Sequence, residues 1–154
     1  MPPPEPAPLS FQNPAVMKVA LTVAVLAALL SWVPILNILL WLAAGYAAVF
    51  LYRRRTGYAF SLRAGLRMGW ITGVLMFGII AVLFGGFLAL FLASGGVAAF
   101  QAQFHNAMDP KYVEALKMLQ NGPDVAVLLM QLFIFITCLS MAGGALGAKL
   151  VGRD

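Results

Sequence analysis

Long apolar stretches separated by short polar connections make up most of this chain of 154 residues. Four such stretches cover residues 16–33, 35–52, 68–92 and 125–150. A stretch of about 18 or more apolar residues, rising about 1.5 Å per residue, is long enough to cross a hydrocarbon core of about 30 Å. Backbone polar groups inside a bilayer must bond within their own segment, which favours helices. The pattern therefore predicts an all-α polytopic membrane protein with four transmembrane helices.

Proline marks the N-terminal tail and the connection between the first two apolar stretches. Residues 1–14 are rich in proline, which fixes φ and lacks an amide proton, so they are expected to form a disordered tail. Pro34 interrupts what would otherwise be a helix of about 55 Å, too long for a bilayer even when tilted. The prediction is a tight helical hairpin at this point, with residues 15–154 forming one four-helix transmembrane domain.

The longest connection between apolar stretches covers residues 93–124. Phe100, Phe104 and Met108 recur at every fourth position with polar residues between them, as in an amphipathic helix. Asp109 followed by Pro110 is typical of an N-cap and the first helical position. The connection is therefore predicted to hold two short amphipathic helices that lie on the outer membrane surface or cap the bundle.

Composition and charge support a membrane location. The chain is 62% hydrophobic and 10% charged, whereas a soluble domain carries about 25% charged residues. The net charge is +5, but most basic residues flank the apolar stretches, and no nucleic-acid-binding motif accompanies them. Basic residues beside membrane spans mark the cytoplasmic side. We therefore expect an inner (cytoplasmic) membrane protein with both termini cytoplasmic, residues 93–124 outside, and no nucleic acid as partner.

Five arginines without an intervening acid follow the second stretch: Arg53, Arg54, Arg55, Arg63 and Arg67. Arg63 and Arg67 are four residues apart and would share one face of a helix. One interpretation is selective contact with an anionic lipid headgroup. The alternative is that these residues only orient and anchor the protein, which membrane insertion alone requires. Membrane lipids are the expected partners in either case.

Residues that carry chemistry are scarce. Cys138 and His105 are the only cysteine and histidine, so no set of metal ligands is expected. No nucleophile motif is present, and no catalytic residue, cofactor or small-molecule substrate is predicted. No Asp or Glu lies within the four apolar stretches, whereas proton-coupled transporters need a titratable group in the membrane. The sequence therefore predicts neither an enzyme nor a proton-coupled transporter.

Small residues form the clearest internal pattern. Gly65, Gly69 and Gly73 are spaced by four, and Gly144 and Ala148 repeat this spacing on the last stretch. Such spacing allows helix backbones to approach closely, either within the chain or at the interface of a homo-oligomer.

One polar side chain in the last stretch stands out as well. Gln131 has an amide that would be costly in hydrocarbon without a partner. It is predicted to form an interhelical hydrogen bond, the alternative being that it lines a pore.

Three segments carry a resemblance to known proteins. Residues 51–57 (LYRRRTG), 63–73 (RAGLRMGWITG) and 143–150 (GGALGAKL) resemble a group of small, uncharacterised bacterial four-pass integral membrane proteins. The resemblance covers residues 13–154 and implies no known activity. Some similar proteins begin with a cysteine-rich zinc ribbon, which the proline-rich tail replaces here, so no zinc role is carried over.

Two classes of function are consistent with these patterns. The first is a non-enzymatic membrane component that packs or assembles through its small residues and organises the envelope or its lipids. The alternative is a small oligomeric channel or transporter, with Gln131 and membrane threonines along a polar path.

Overall fold

A computed structural model describes residues 9–31, 37–57, 60–103 and 109–151. Within these residues the chain forms six α-helices and no strand. The helices are α1 (Pro14–Leu30), α2 (Asn37–Thr56), α3 (Leu62–Ala93), α4 (Gly96–Gln103), α5 (Pro110–Met118) and α6 (Gly122–Val151). The predicted hairpin turn at Pro34 lies outside the described residues. For the described part of the chain, the helical class is as predicted.

The prediction of four membrane-spanning helices is wrong. Among the described residues, only α3 and α6 are both long and apolar enough to cross a membrane. Helix α1 has 17 residues, and at 1.5 Å per residue it falls short of a hydrocarbon core of about 30 Å. Helix α2 has 20 residues, but its last turn carries Arg53, Arg54 and Arg55, which shortens its apolar part. For α1 and α2, the length of the apolar stretch in the sequence is therefore greater than the length of apolar helix that the structure forms.

Polar side chains fix the starts of three helices. Asn13 caps α1 by accepting a hydrogen bond from the Ala15 amide at 3.0 Å, and Pro14 is the first residue of the helix. Ser61 accepts from the amide of Ala64 at the start of α3. Asp109 accepts from the Lys111 amide at 2.9 Å, which confirms the N-cap predicted for α5.

The chain divides into two compact units. Unit 1 consists of Met1–Ile79 and Phe133–Asp154, and unit 2 of Ile80–Leu132. Helices α3 and α6 contribute residues to both units. Unit 1 thus holds α1, α2, the first half of α3 and the second half of α6, and unit 2 holds α4, α5 and the remaining halves.

Unit 1 contains a closely packed core. Val16, Val49, Met68 and Ile136 from four different helices are fully buried. Residues before α1 take part in the packing, because Leu9 and Asn13 are buried and Phe11 lies edge-on against Trp70 with ring centroids 5.5 Å apart. Residues just before α1 therefore pack against the rest of unit 1.

Unit 2 buries much less. Phe91 is buried, and its ring centroid lies 6.3 Å from that of Phe100 in α4. By contrast, Val82 is 75% exposed and Leu90 is 73% exposed. Helix α5 has charged residues on one face and apolar residues on the other, yet it contributes no buried residue. Much of the apolar surface of unit 2 therefore lies on the outside.

Candidate functional site

Helices α3 and α6 contact each other in unit 1 through residues that have little or no side chain. A Cβ atom placed on Gly65 would collide with the carbonyl oxygen of Gly144 and lie 2.6 Å from the Cβ atom of Ala148. A Cβ atom on Gly69 would collide with the carbonyl oxygen of Ser140. Because even one methyl group would collide at these positions, the two backbones touch directly.

The structure thus brings together the small residues that the sequence placed at helix contacts. Further along α3, a Cβ atom on Gly73 would lie 3.0 Å from the Cα atom of Thr137. Together with the preceding contacts, this places the whole predicted set at one helix contact within the chain: Gly65, Gly69, Gly73, Gly144 and Ala148. A homo-oligomer, which stays a prediction, would need a different surface.

A side-chain hydrogen bond joins the same two helices. The Ser140 hydroxyl donates to the carbonyl oxygen of Gly69 at 2.8 Å, and the bond is buried. Thr72, also buried, instead donates to the carbonyl oxygen of Met68 in its own helix at 2.9 Å. The close approach at Gly69 is what allows the short serine side chain to reach the neighbouring backbone.

Helix α2 packs on α6 at the same level. A Cβ atom on Gly45 would collide with the Ser140 carbonyl oxygen and lie 2.8 Å from the Gly144 nitrogen. On α6, a Cβ atom on Gly143 would collide with the carbonyl oxygen of Leu42. One turn of α6, residues 140–144, therefore contacts both α2 and α3 through its backbone.

Sequence reasoning did not identify Gly45 as a contact residue. The signal was present, because Gly45 lies among small residues, and Ala44 and Ala48 are buried on the same helix. No second glycine lies four residues away on α2, so the four-residue pattern that marked α3 and α6 was lacking here.

Gln131 does not lie at this contact. It is exposed on α6 in unit 2, in a surface cleft beside Met118, Asp124 and Val127. Among the described residues, no hydrogen bond joins its amide to another helix. Nine residues separate Gln131 from Ser140, which at about 100° per residue places them on opposite sides of the helix. The interhelical hydrogen bond expected of Gln131 is made instead by Ser140.

The basic residues of unit 1 lie at one end of its helices. Arg53, Arg54 and Arg55 form the last turn of α2, and Arg63 and Arg67 lie in the first two turns of α3. Because Gly65 contacts Ala148, the start of α3 lies beside the end of α6, where Lys149 is exposed. We call this surface the basic end.

No acid balances the basic end among the described residues of unit 1. Its described part contains no Asp or Glu at all. The described part of unit 1 therefore carries a net positive charge, which is concentrated at the basic end and attracts anions.

Groups with other chemistry lie apart from one another. Cys138 is exposed on α6, and His105 lies outside the described residues. Within the described part of the chain, no group of three or more His, Cys, Asp or Glu residues could hold a metal ion.

No protein-family model matches the chain, and no similar curated protein or solved structure was found. The resemblance to small bacterial membrane proteins therefore stays a prediction.

The contact between α3 and α6 can be tested with paired glycine substitutions. Gly144→Ala should lower the free energy of unfolding by about 1–3 kcal/mol, because its Cβ atom would collide with the backbone of α3. Gly85→Ala on α3 is the matched control, since no atom lies within 4 Å of its added Cβ atom. The free energy of unfolding of both variants would be measured on purified protein in mixed micelles, by unfolding it with increasing SDS. Equal stability of the two variants would contradict the close contact.

The Ser140 hydrogen bond is tested by a second pair of variants. Ser140→Ala should destabilise the protein by about 0.5–1.5 kcal/mol, because it removes a buried bond between two helices. Thr72→Val should cost less, because the Thr72 hydroxyl bonds only within α3. The same SDS titration applies, and a larger loss for Thr72→Val than for Ser140→Ala would argue against the role of Ser140.

Proposed function

We propose that this chain is a non-enzymatic integral membrane protein that acts by packing and assembling within an envelope membrane. The observation that carries this proposal is the exposure of its two longest apolar helices. The apolar windows of α3 and α6 are only 11% and 17% buried. The core helix of a soluble protein would be mostly buried, and water solvates so large an apolar surface poorly. Lipid is the environment that matches these two helices.

The packing of unit 1 favours a structural role over conduction. Where α2, α3 and α6 meet, Gly45, Gly65 and Gly144 leave no room for a methyl group. A hydrated path through this contact would require the helices to separate. An ion there would lose its hydration and find few replacement ligands, because glycine and alanine supply no polar side chains and the Ser140 hydroxyl is already bonded to Gly69.

The charge distribution supports an orientation in the membrane. If α3 and α6 both cross, the residues before α3 and after α6 lie on the same side. These are the residues of the basic end, while residues 93–124 carry Lys111 and Lys117 together with three acids. By the positive-inside rule, we place the basic end and both termini in the cytoplasm, in a bacterial inner membrane.

The structural role predicts that the reconstituted protein conducts nothing. Liposomes containing the full chain should show ion and proton flux equal to that of protein-free vesicles, at any membrane potential. The physical reason is the small number of polar ligands at the helix contacts. A fluorescent potential or pH indicator inside the vesicles would measure the flux. Flux that rises with protein content and falls in Gln131→Leu would support the alternative, a small channel.

The orientation is tested by cysteine accessibility on a Cys138→Ala background. Ser61→Cys and Ala115→Cys each place a thiol at an exposed position, one on each proposed side of the membrane. In intact cells, a membrane-impermeant maleimide should label Ala115→Cys only, and Ser61→Cys should react after permeabilisation. Labelling of Ser61→Cys in intact cells would refute the orientation, and labelling of both would refute a membrane crossing between them.

A further inference from the structure

A cleft opens at the basic end between the start of α1 and the end of α2, with a volume of ≈ 280 Å³. Lys18 and Arg55, one from each helix, line it together with Tyr52 and Thr56. Pro14 begins α1 beside it, so the partial positive charge of a helix N-terminus adds to the two side chains. The cleft therefore combines two full cationic charges with the N-terminus of a helix in one concave place, whereas the Thr56 hydroxyl already donates to the Tyr52 carbonyl oxygen at 2.8 Å.

The positive charge of Lys18 and Arg55 meets no acidic side chain among the described residues of unit 1. Neither Lys18 nor Arg55 is paired with an acid among the described residues, and both side chains are exposed. Their mutual repulsion is reduced if an anion lies between them. A phosphate group, which accepts several hydrogen bonds from such donors, has the required charge and chemistry.

An apolar groove continues the cleft along the same two helices. This groove has a volume of ≈ 180 Å³ and is lined by aliphatic residues, among them Val23 and Leu26 of α1 and Leu51 of α2. Val19 of the cleft lies one helical turn before Val23, and Arg55 lies one turn after Leu51. The cationic cleft and the apolar groove therefore share one face of the α1–α2 pair.

We propose that this face binds an anionic phospholipid, with the phosphate between Lys18 and Arg55 and an acyl chain along the groove. The inference rests on the membrane location proposed above. A free phosphate would use only the cleft, and an acidic peptide would leave the apolar groove unmatched. A phospholipid satisfies both parts, and the basic end lies at the membrane side where anionic lipids concentrate.

Native mass spectrometry of the full chain in detergent tests the proposal directly. The probes are phosphatidylglycerol and phosphatidylcholine with identical acyl chains. The wild-type protein should bind the first phosphatidylglycerol molecule more tightly than phosphatidylcholine. In Lys18→Ala/Arg55→Ala this affinity should fall about tenfold or more, because two cations near the phosphate are lost.

A matched double variant separates a defined site from general attraction. Arg54→Ala/Lys149→Ala removes the same charge from exposed positions that do not line the cleft. Its affinity should fall by less than about threefold, because only the surrounding potential changes. Equal losses in the two double variants would overturn the site, and so would equal wild-type affinity for the two lipids.

Two further arms complete the experiment. Inorganic phosphate added in excess should not displace the lipid. Full displacement would overturn the proposal, because it would show that the acyl chain contributes nothing to binding.

If the Lys18→Ala/Arg55→Ala variant unfolds, Lys18→Gln/Arg55→Gln takes its place, with the same loss of phosphatidylglycerol affinity expected. Failure of the lipid site can be told apart from failure of the proposed membrane location. Labelling with the impermeant maleimide reports whether the chain is inserted, whether or not lipid binding is selective.

Discussion

Direct backbone contact at one turn of α6 is the interaction on which the rest of unit 1 depends. The Ser140 carbonyl oxygen is approached from α2 at Gly45 and from α3 at Gly69. The Ser140 hydroxyl adds a hydrogen bond to Gly69 itself. Dispersion between closely approaching backbones, with little loss of side-chain entropy, is the kind of stabilisation that operates in lipid, where the hydrophobic effect between helices is absent. This contact sets the register of three helices at once.

That register also decides where the charges lie. Because Gly65 meets Gly144 and Ala148, the arginine-rich start of α3 lies beside the end of α6. The start of α1 and the end of α2 also adjoin each other, around Lys18 and Arg55. The result is a basic end with no acid among its described residues. A packed interior of small residues and an end rich in basic residues are consistent with the lipid partners proposed above.

The same packing supports our proposal of a structural role over the alternative of a small channel. A conducting path needs polar groups that face one another, but buried polar side chains are few in the described part of unit 1, and two of their atoms, Trp41 Nε1 and Thr137 Oγ1, have no hydrogen-bond partner there. Ser140 bonds to α3 and Thr72 to its own helix, while Gln131 is exposed on the opposite side of α6 from Ser140. The apolar surface of α3 and α6 then faces outward, as expected of helices solvated by lipid rather than grouped around water.

The sequence by itself determined the helical class, the N-cap at Asp109, the clustering of basic residues and the four-residue spacing of the small residues. These features depend on local hydrogen bonds, periodicity and composition, which need no knowledge of the partner helix. Only the tertiary structure decided that Gly45 contacts α6, that Ser140 rather than Gln131 joins two helices, and that α1 and α2 are too short or too charged at one end to count as spans. Spacing shows which residues share a face, but which face meets which helix depends on how closely the backbones approach.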